Sequence, residues 1–403
     1  MRPSELSRRG FLALGGGLVA CELDRRRPAP PVTTASPAAP TPASPPSHEV
    51  DPQARPRDRA LMRWYPALAG RLPWVSLGAL PTPVERAAEL ERLAGFGPIF
   101  AKRDDLSSPD WGGGKTRKLE LLLAEAVARR QKTVITFGGV GSNQAVATAV
   151  HGRRLGLRVV LALGGQPPSD TVRARLLEML GAGAELRYVL GVNAAERTAA
   201  EDWRRRGEAA PWVIPVGGTN ALGSLAYVDA ALELAEQIRA GALPEPDVIY
   251  LAAGTLGTAA GLCLGVRLAG LRSRVVAVRA SSPDFSSRRE LGRLVAETVR
   301  YARSLDPGFP SVELDPTTIA IDGSELGRGY GYETAHGRAA RELALSSEKW
   351  QLDDTYTAKA LAALLKTRPR GVSLFWLTQS ATRARVVPGD PSKLPAPLRA
   401  YFG

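Results

Sequence analysis

Between Val134 and Val278 short apolar runs alternate with helical runs, and that alternation constrains the fold more than any other feature of the chain. Val134-Ile135-Thr136-Phe137 reads as a strand, residues 142–155 as a helix and 159–163 as a strand. Residues 172–180 follow as a helix and 186–190 as a strand. A second series comprises a helix over 222–239, a strand over 248–252, a glycine loop with a helix, and a strand over 275–278. Upstream, residues 98–102 read as a further strand. The pattern predicts an α/β protein with two open, twisted, mainly parallel lobes. In such sheets ligands bind beyond the carboxyl ends of the strands, here in the cleft between the lobes.

Three loops at such strand ends hold the candidate chemistry. Lys115 follows Gly112-Gly113-Gly114 at the mouth of a helix whose Leu119, Leu122, Leu123, Ala126 and Val127 form an apolar stripe. Thr116 can cap that helix, placing Lys115 at the positive dipole end, where an ammonium is disfavoured and Schiff-base chemistry is eased. A basic loop before an amphipathic helix accounts for the same spacing. Gly138-Gly139-Val140-Gly141-Ser142-Asn143-Gln144 offers backbone amides and the Ser142 hydroxyl at a helix N-terminus, a carboxylate site, although plain capping by Ser142 reads equally well. Gly254-Thr255-Leu256-Gly257-Thr258 leaves a strand and opens a helix, the arrangement that cradles phosphate, but also that of any tight strand-to-helix turn.

The 403 residues are 44% hydrophobic and 23% charged, as in an ordinary globular chain. The net charge of +13 comes without an aromatic-interleaved basic block, so no nucleic-acid partner is expected. Two cysteines, Cys21 and Cys263, and three histidines exclude a disulfide framework and a thiolate or histidine metal centre. Residues 1–21 read as a leader: Ser7-Arg8-Arg9-Gly10-Phe11-Leu12 resembles a twin-arginine export signal, and Leu18-Val19-Ala20-Cys21 resembles a lipoprotein cleavage box with Cys21 lipidated. Residues 22–60 are a Pro/Ala-rich tether and residues 61–403 the catalytic body, its smaller lobe at about 118–230.

The run Lys102-Arg103-Asp104-Asp105-Leu106, continued through Gly112-Gly113-Gly114-Lys115-Thr116-Arg117-Lys118-Leu119-Glu120, resembles the cofactor-lysine segment of the D-cysteine desulfhydrase and aminocyclopropane-carboxylate deaminase family. Those are pyridoxal-phosphate enzymes of the tryptophan-synthase-β-like fold. The resemblance covers roughly residues 77–381. It implies pyridoxal 5'-phosphate as cofactor, Lys115 as the residue that binds it covalently, and residues 254–258 as its phosphate loop, with Lys118 as an extra phosphate contact. It also implies that Ser142, Asn143 and Gln144 hold a substrate carboxylate, with Asn143 over the cofactor ring. Pro215-Val216-Gly217-Gly218-Thr219-Asn220 matches a further family segment, read here as a capped turn shaping the domain junction.

Gly329-Tyr330-Gly331 and Asp353-Asp354-Thr355-Tyr356-Thr357-Ala358-Lys359 resemble the segments that bring two tyrosines beside the cofactor and substrate. Thr357 stands where the ring-opening deaminases carry Glu, which places the chain with the desulfhydrases. Thr378 matches the threonine facing the pyridine nitrogen. The chain departs from the family's pattern at Gly114 (usually Asn) and at Gln379 and Ser380 (usually Gly), positions where the backbone approaches closely. The expectation is an exported, membrane-tethered homodimeric lyase acting on a small, D-configured amino acid. A second reading is a cofactor- or amino-acid-binding lipoprotein without turnover.

Overall fold

The apolar runs pair as strands because each is covered by the helices that separate them. The computed structural model describes residues 58–403 apart from 206, 208 and 315–318. In chain order the first half gives α1 (Ala60–Trp64), β1 (Val84–Arg86), α2 (Ala88–Ala94), β2 (Ile99–Lys102), α3 (Gly114–Ala128), β3 (Thr133–Gly139), α4 (Asn143–Arg154), β4 (Arg158–Gly164), α5 (Asp170–Gly181), β5 (Glu185–Tyr188), α6 (Val192–Arg205) and β6 (Trp212–Ile214). The second half gives α7 (Ala221–Arg239), β7 (Val248–Ala253), α8 (Gly257–Leu268), β8 (Arg274–Arg279), α9 (Arg288–Leu305), β9 (Ala320–Asp322), α10 (Ala335–Glu348), α11 (Thr357–Thr367), β10 (Ser373–Trp376) and α12 (Ala396–Arg399).

One sheet runs β5-β4-β3-β6, all parallel. The other runs β1-β2-β10-β7-β8-β9 and is parallel except where β1 meets β2. The late strand β10 inserts between β2 and β7, so the chain's C-terminal quarter returns to the middle of the larger sheet. That insertion carries Thr378 to the same cleft as the ends of β3 and β7.

Short polar side chains start the helices that face the cleft. Ser142 Oγ accepts from Ala145 N at 3.3 Å, Ser169 Oγ from Val172 N at 3.2 Å and Asn220 Oδ1 from Gly223 N at 2.8 Å. Each cap contributes about 1 kcal/mol. The α3 start differs from expectation. Gly113 is its N-cap with φ 90, and Thr116 lies inside the first turn, its hydroxyl donating to Trp111 O at 2.8 Å. A left-handed N-cap position suits glycine, whereas threonine there would be strained. Leu119, Leu122, Leu123 and Ala126 are at most 1% exposed, but Val127 is 47% exposed and lies off the stripe. The strand expected at 186–190 ends at Tyr188, and Leu190 is 98% exposed on the way into α6.

The charges of the Lys102 to Lys118 run form a buried network rather than a solvated face. Arg117 donates to Asp104 Oδ1 at 2.8 Å, to Thr82 Oγ1 at 2.9 Å and to both carboxylate oxygens of Glu233 at 2.8 and 2.9 Å. Lys102 Nζ donates to Glu233 Oε1 at 2.5 Å and to Thr82 O at 2.6 Å. Burial alone would raise the Glu233 carboxyl, but Arg117 and Lys102 bring it down to about 2. Asp104 Oδ2 accepts from Trp376 Nε1 at 2.7 Å and from the Tyr227 hydroxyl at 3.1 Å. One cluster of charges thereby joins α3, α7 and the end of β10 directly beneath Lys115.

The segments read as leader and tether, Cys21 included, lie outside the described residues apart from positions 58–60. Among the described residues no helix is long and apolar enough to cross a membrane.

Candidate active site

The C-terminal ends of β3, β7 and β10 and the N-terminus of α3 converge on a cavity of about 350 Å³. Lys115, Lys118, Ser142, Asn143, Gln144, residues 254–258, Tyr330, Tyr356 and Thr378 all line it. Residues spread over more than 260 positions of sequence therefore share one wall. Thr357 does not line it. It is 1% exposed, and its hydroxyl turns back to Asp353 Oδ2 at 2.9 Å. The residue from that segment that faces the cavity beside Tyr356 is Asp353, which sequence reasoning passed over.

One end of the cavity is built for an anion. Lys118 Nζ donates to Gly217 O at 3.2 Å and lies 3.5 Å from Thr219 Oγ1, and Lys115 Nζ donates to the same carbonyl at 3.3 Å. Neither ammonium is paired with a carboxylate among the described residues. Burial, then repulsion from Lys115, pushes Lys118 well below the ordinary lysine range. Facing them is the N-terminus of α8, reached through Leu256 in the left-handed region at φ 64. Gly257 is required at its first turn, because a Cβ there would sit 2.8 Å from Lys118 Nζ and 2.7 Å from Thr219 Oγ1. Two buried amines without a carboxylate partner at a helix N-terminus, with the Thr255 and Thr219 hydroxyls 2.7 Å apart alongside, fit a phosphate group, whose charge would favour a protonated Lys118. Gly217 and Thr219 come from the segment read as a mere domain junction.

Lys115 is pulled down to about 8 by burial. Desolvation favours the neutral amine, at a position in the first turn of α3. Across the cavity Ser142 uses a lone pair to cap α4, which leaves its hydroxyl proton for a ligand. Gln144 donates to Thr148 Oγ1 at 3.1 Å, while its Oε1 is buried without a partner. Tyr356 donates to the Tyr330 hydroxyl at 3.1 Å, and the two rings meet edge to face with centroids 5.9 Å apart. Tyr330 is thus an acceptor from its neighbour and keeps its own proton to give. Burial raises both phenols, so both are proton donors at neutral pH. Asp353 is held by Tyr356 N at 2.7 Å and by Thr357, so its carboxylate is already occupied.

The departures at Gly114, Gln379 and Ser380 fit one another. A Cβ at Gly113 would lie 2.6 Å from Thr378 O and 3.1 Å from Ser380 N, and one at Gly114 would run into the Tyr227 hydroxyl. Close backbone approach is thus provided by the glycines before Lys115 and not by residues 379 and 380. Gly114 N donates to Thr378 O at 3.0 Å across that contact. The side chains of Gln379 and Ser380 point away from it, to Asn143 at 2.8 Å and to Thr382 O at 2.8 Å. No cluster of His, Cys, Asp and Glu suited to a metal ion occurs among the described residues.

Comparison with known proteins agrees with this geometry. The family described as "Pyridoxal-phosphate dependent enzyme" matches residues 75–374. A nocardicin C-9' epimerase of Nocardia uniformis subsp. tsuyamanensis is 36% identical over 342 residues, covering 82% of this chain and 99% of its own. A D-cysteine desulfhydrase of Klebsiella pneumoniae (strain 342) is 35% identical over 308 residues, covering 73% of this chain and 88% of its own. A crystal structure described as the ACC deaminase homologue superposes with a TM-score of 0.68 at 29% identity, over 80% of this chain and 95% of the other.

Proposed function

The chain belongs to the pyridoxal-phosphate-dependent enzyme family, and on that premise we propose that it removes the β-substituent of a small D-amino acid, yielding pyruvate and ammonia. Bound in the cavity, the cofactor supplies an electron sink that acidifies the substrate's α-carbon. Lys115, Lys118 and the loop over residues 254–258 would hold it, with Thr378 lining the same cavity. Ser142, Asn143 and the amides that start α4 take the substrate carboxylate. Lys115, partly unprotonated at neutral pH, accepts the α-proton. The Cβ–substituent bond then breaks with its electron pair on the leaving group, and Tyr330 has a proton to give to it. The released aminoacrylate takes up one water and divides into pyruvate and ammonia.

One observation favours elimination over opening of a cyclopropane ring. Thr357 is turned out of the cavity, and the Asp353 carboxylate beside Tyr356 is engaged by Tyr356 N, by Thr357 Oγ1 and by the Gln379 amide. Purified holoenzyme should form pyruvate from D-cysteine or β-chloro-D-alanine and no 2-oxobutyrate from aminocyclopropane carboxylate. Turnover of the cyclopropane substrate alone would overturn the reading.

A second reading is inversion at the α-carbon, favoured by the epimerase relative matched over 99% of its length. It would appear as α-deuterium uptake from D2O, with loss of optical activity and no keto acid. For the N-terminal segment we propose export through the twin-arginine signal and anchoring at Cys21, and for the assembled enzyme a homodimer. Membrane fractionation of Arg8→Lys/Arg9→Lys and Cys21→Ala variants tests the first proposal, and light scattering the second.

A further inference from the structure

Gln379 is 6% exposed and stands between the lobes, its amide 2.8 Å from that of Asn143. Its neighbours dictate which way that amide turns. The Arg175 guanidinium on α5 can only donate, and the Asp353 carboxylate before α11 can only accept. With its oxygen 2.8 Å from Arg175 Nη2 and its nitrogen 3.2 Å from Asp353 Oδ2, Gln379 satisfies both. The reverse orientation would set NH2 against the guanidinium and oxygen against the carboxylate. Both neighbours are themselves fixed. Arg175 donates to Glu178 Oε2 at 2.7 Å and lies 4.3 Å over the Trp111 ring, while Asp353 accepts from Tyr356 N at 2.7 Å and from Thr357 Oγ1 at 2.9 Å.

In the satisfied orientation the Gln379 nitrogen is the atom that faces Asn143. Asn143 must therefore offer its oxygen to Gln379, and its NH2 is left to the cavity that it lines. We infer that Gln379 is a positioning residue that holds the Asn143 amide with its NH2 turned into the cavity, as a donor to an anionic oxygen of the bound cofactor or of a substrate carboxylate. The polarity of the site is thus set by a cation outside it and relayed through a side chain at a position where the resembling family has glycine. The same node ties Asn143 on the smaller lobe to Asp353, and so to Tyr356, on the larger. The inference rests on the cofactor assignment and not on the choice between elimination and inversion.

The test compares Gln379→Glu with Gln379→Met. At a pH high enough that it shares no proton with Asp353, the carboxylate of the first keeps Arg175 but can only accept, so Asn143 must turn its NH2 outward and present oxygen to the cavity. The second removes the relay without inverting it. Two arms are read: affinity of the apoprotein for pyridoxal phosphate, by absorbance titration, and binding of D- or L-alanine to the holoenzyme, by the change in cofactor absorbance. Gln379→Glu should weaken one of them about tenfold more than Gln379→Met does, as expected for a charge-assisted hydrogen bond turned into a repulsion. Loss in the first arm identifies a cofactor oxygen, and loss in the second the substrate carboxylate. In an Asn143→Ala background the difference between the two variants should vanish.

Equal effects in both arms, or a difference that survives Asn143→Ala, would overturn the inference. Should Gln379→Glu not fold, Arg175→Met tests it from the other end. Losing the cation should weaken the same arm several-fold, with no further loss when combined with Asn143→Ala, and an unchanged arm overturns it. If neither alanine binds, the substrate reading fails while the cofactor arm still decides the role of Gln379.

Discussion

Lys115 is the group whose ionisation most directly limits the chemistry, and its environment makes a quantitative prediction. Burial pulls its amine from 10.5 down to about 8. At pH 7 a lysine at 8 is unprotonated in about one molecule in eleven, whereas one at 10.5 is so in about one in three thousand, a gain of about 300-fold. The perturbation is pH itself, applied to the apoprotein between 6 and 11. Trace acetylation read peptide by peptide in the mass spectrometer reports the free-amine fraction of each lysine. Lys115 should become reactive with a midpoint near 8, more than two pH units below an ordinary lysine at about 10.4. The rate at which added pyridoxal phosphate becomes linked to the protein in borohydride-reducible form should rise tenfold per pH unit and level off near the same pH. Lys115→Ala should show no reducible linkage and an unchanged far-ultraviolet spectrum. A Lys115 midpoint above about 9.5, or a reducible linkage that survives Lys115→Ala, would refute the burial argument or the assignment.

Lys118→Met should raise the dissociation constant for pyridoxal phosphate about 10- to 100-fold, because the buried amine that a bound phosphate would hold protonated is removed from the anion end. The effect should be far smaller for pyridoxal lacking the phosphate, by the same titration. Tyr330→Phe should lower kcat about 10²-fold and Tyr356→Phe less, since Tyr356 spends its proton on Tyr330; equal losses would argue against Tyr330 as the donor. Arg117→Met leaves Asp104 buried without its cation and Glu233 with Lys102 alone, and should cost about 3–5 kcal/mol in urea unfolding. The wild-type contribution of Glu233 has a defined pH window. Its folded value of about 2 lies below the ordinary 4.5, so its stabilisation is complete above about 4.5 and is lost as pH falls towards 2.

Local pattern alone determined the strands and helices of the alternation, because buried parallel strands and capped amphipathic helices leave their signature within ten or so residues. It also located the three glycine loops, whose strand-end positions follow from that alternation. Resemblance in the Lys102 to Glu120 run then picked out Lys115 and, through the later segments, the cofactor.

Tertiary structure decided what sequence spacing cannot encode. The return of β10 between β2 and β7 brings Thr378 to a wall otherwise built before residue 260 and from the loops after residue 280, and Gln379 against Asn143 of that wall. Thr357 and Asp353 exchange roles because a helix start turns one hydroxyl back onto the preceding carboxylate. Thr116 yields the cap to Gly113 because only a left-handed residue fits the turn into α3. The close approach of the Lys115 loop to Thr378 O and Ser380 N rests on Gly113, more than 260 residues away in sequence, because steric room at a contact can be provided from either side of it. Whether a charged motif is solvated or buried depends on what covers it. Arg117 and Asp104 are buried because Glu233, from a helix more than a hundred residues on, closes the network over them.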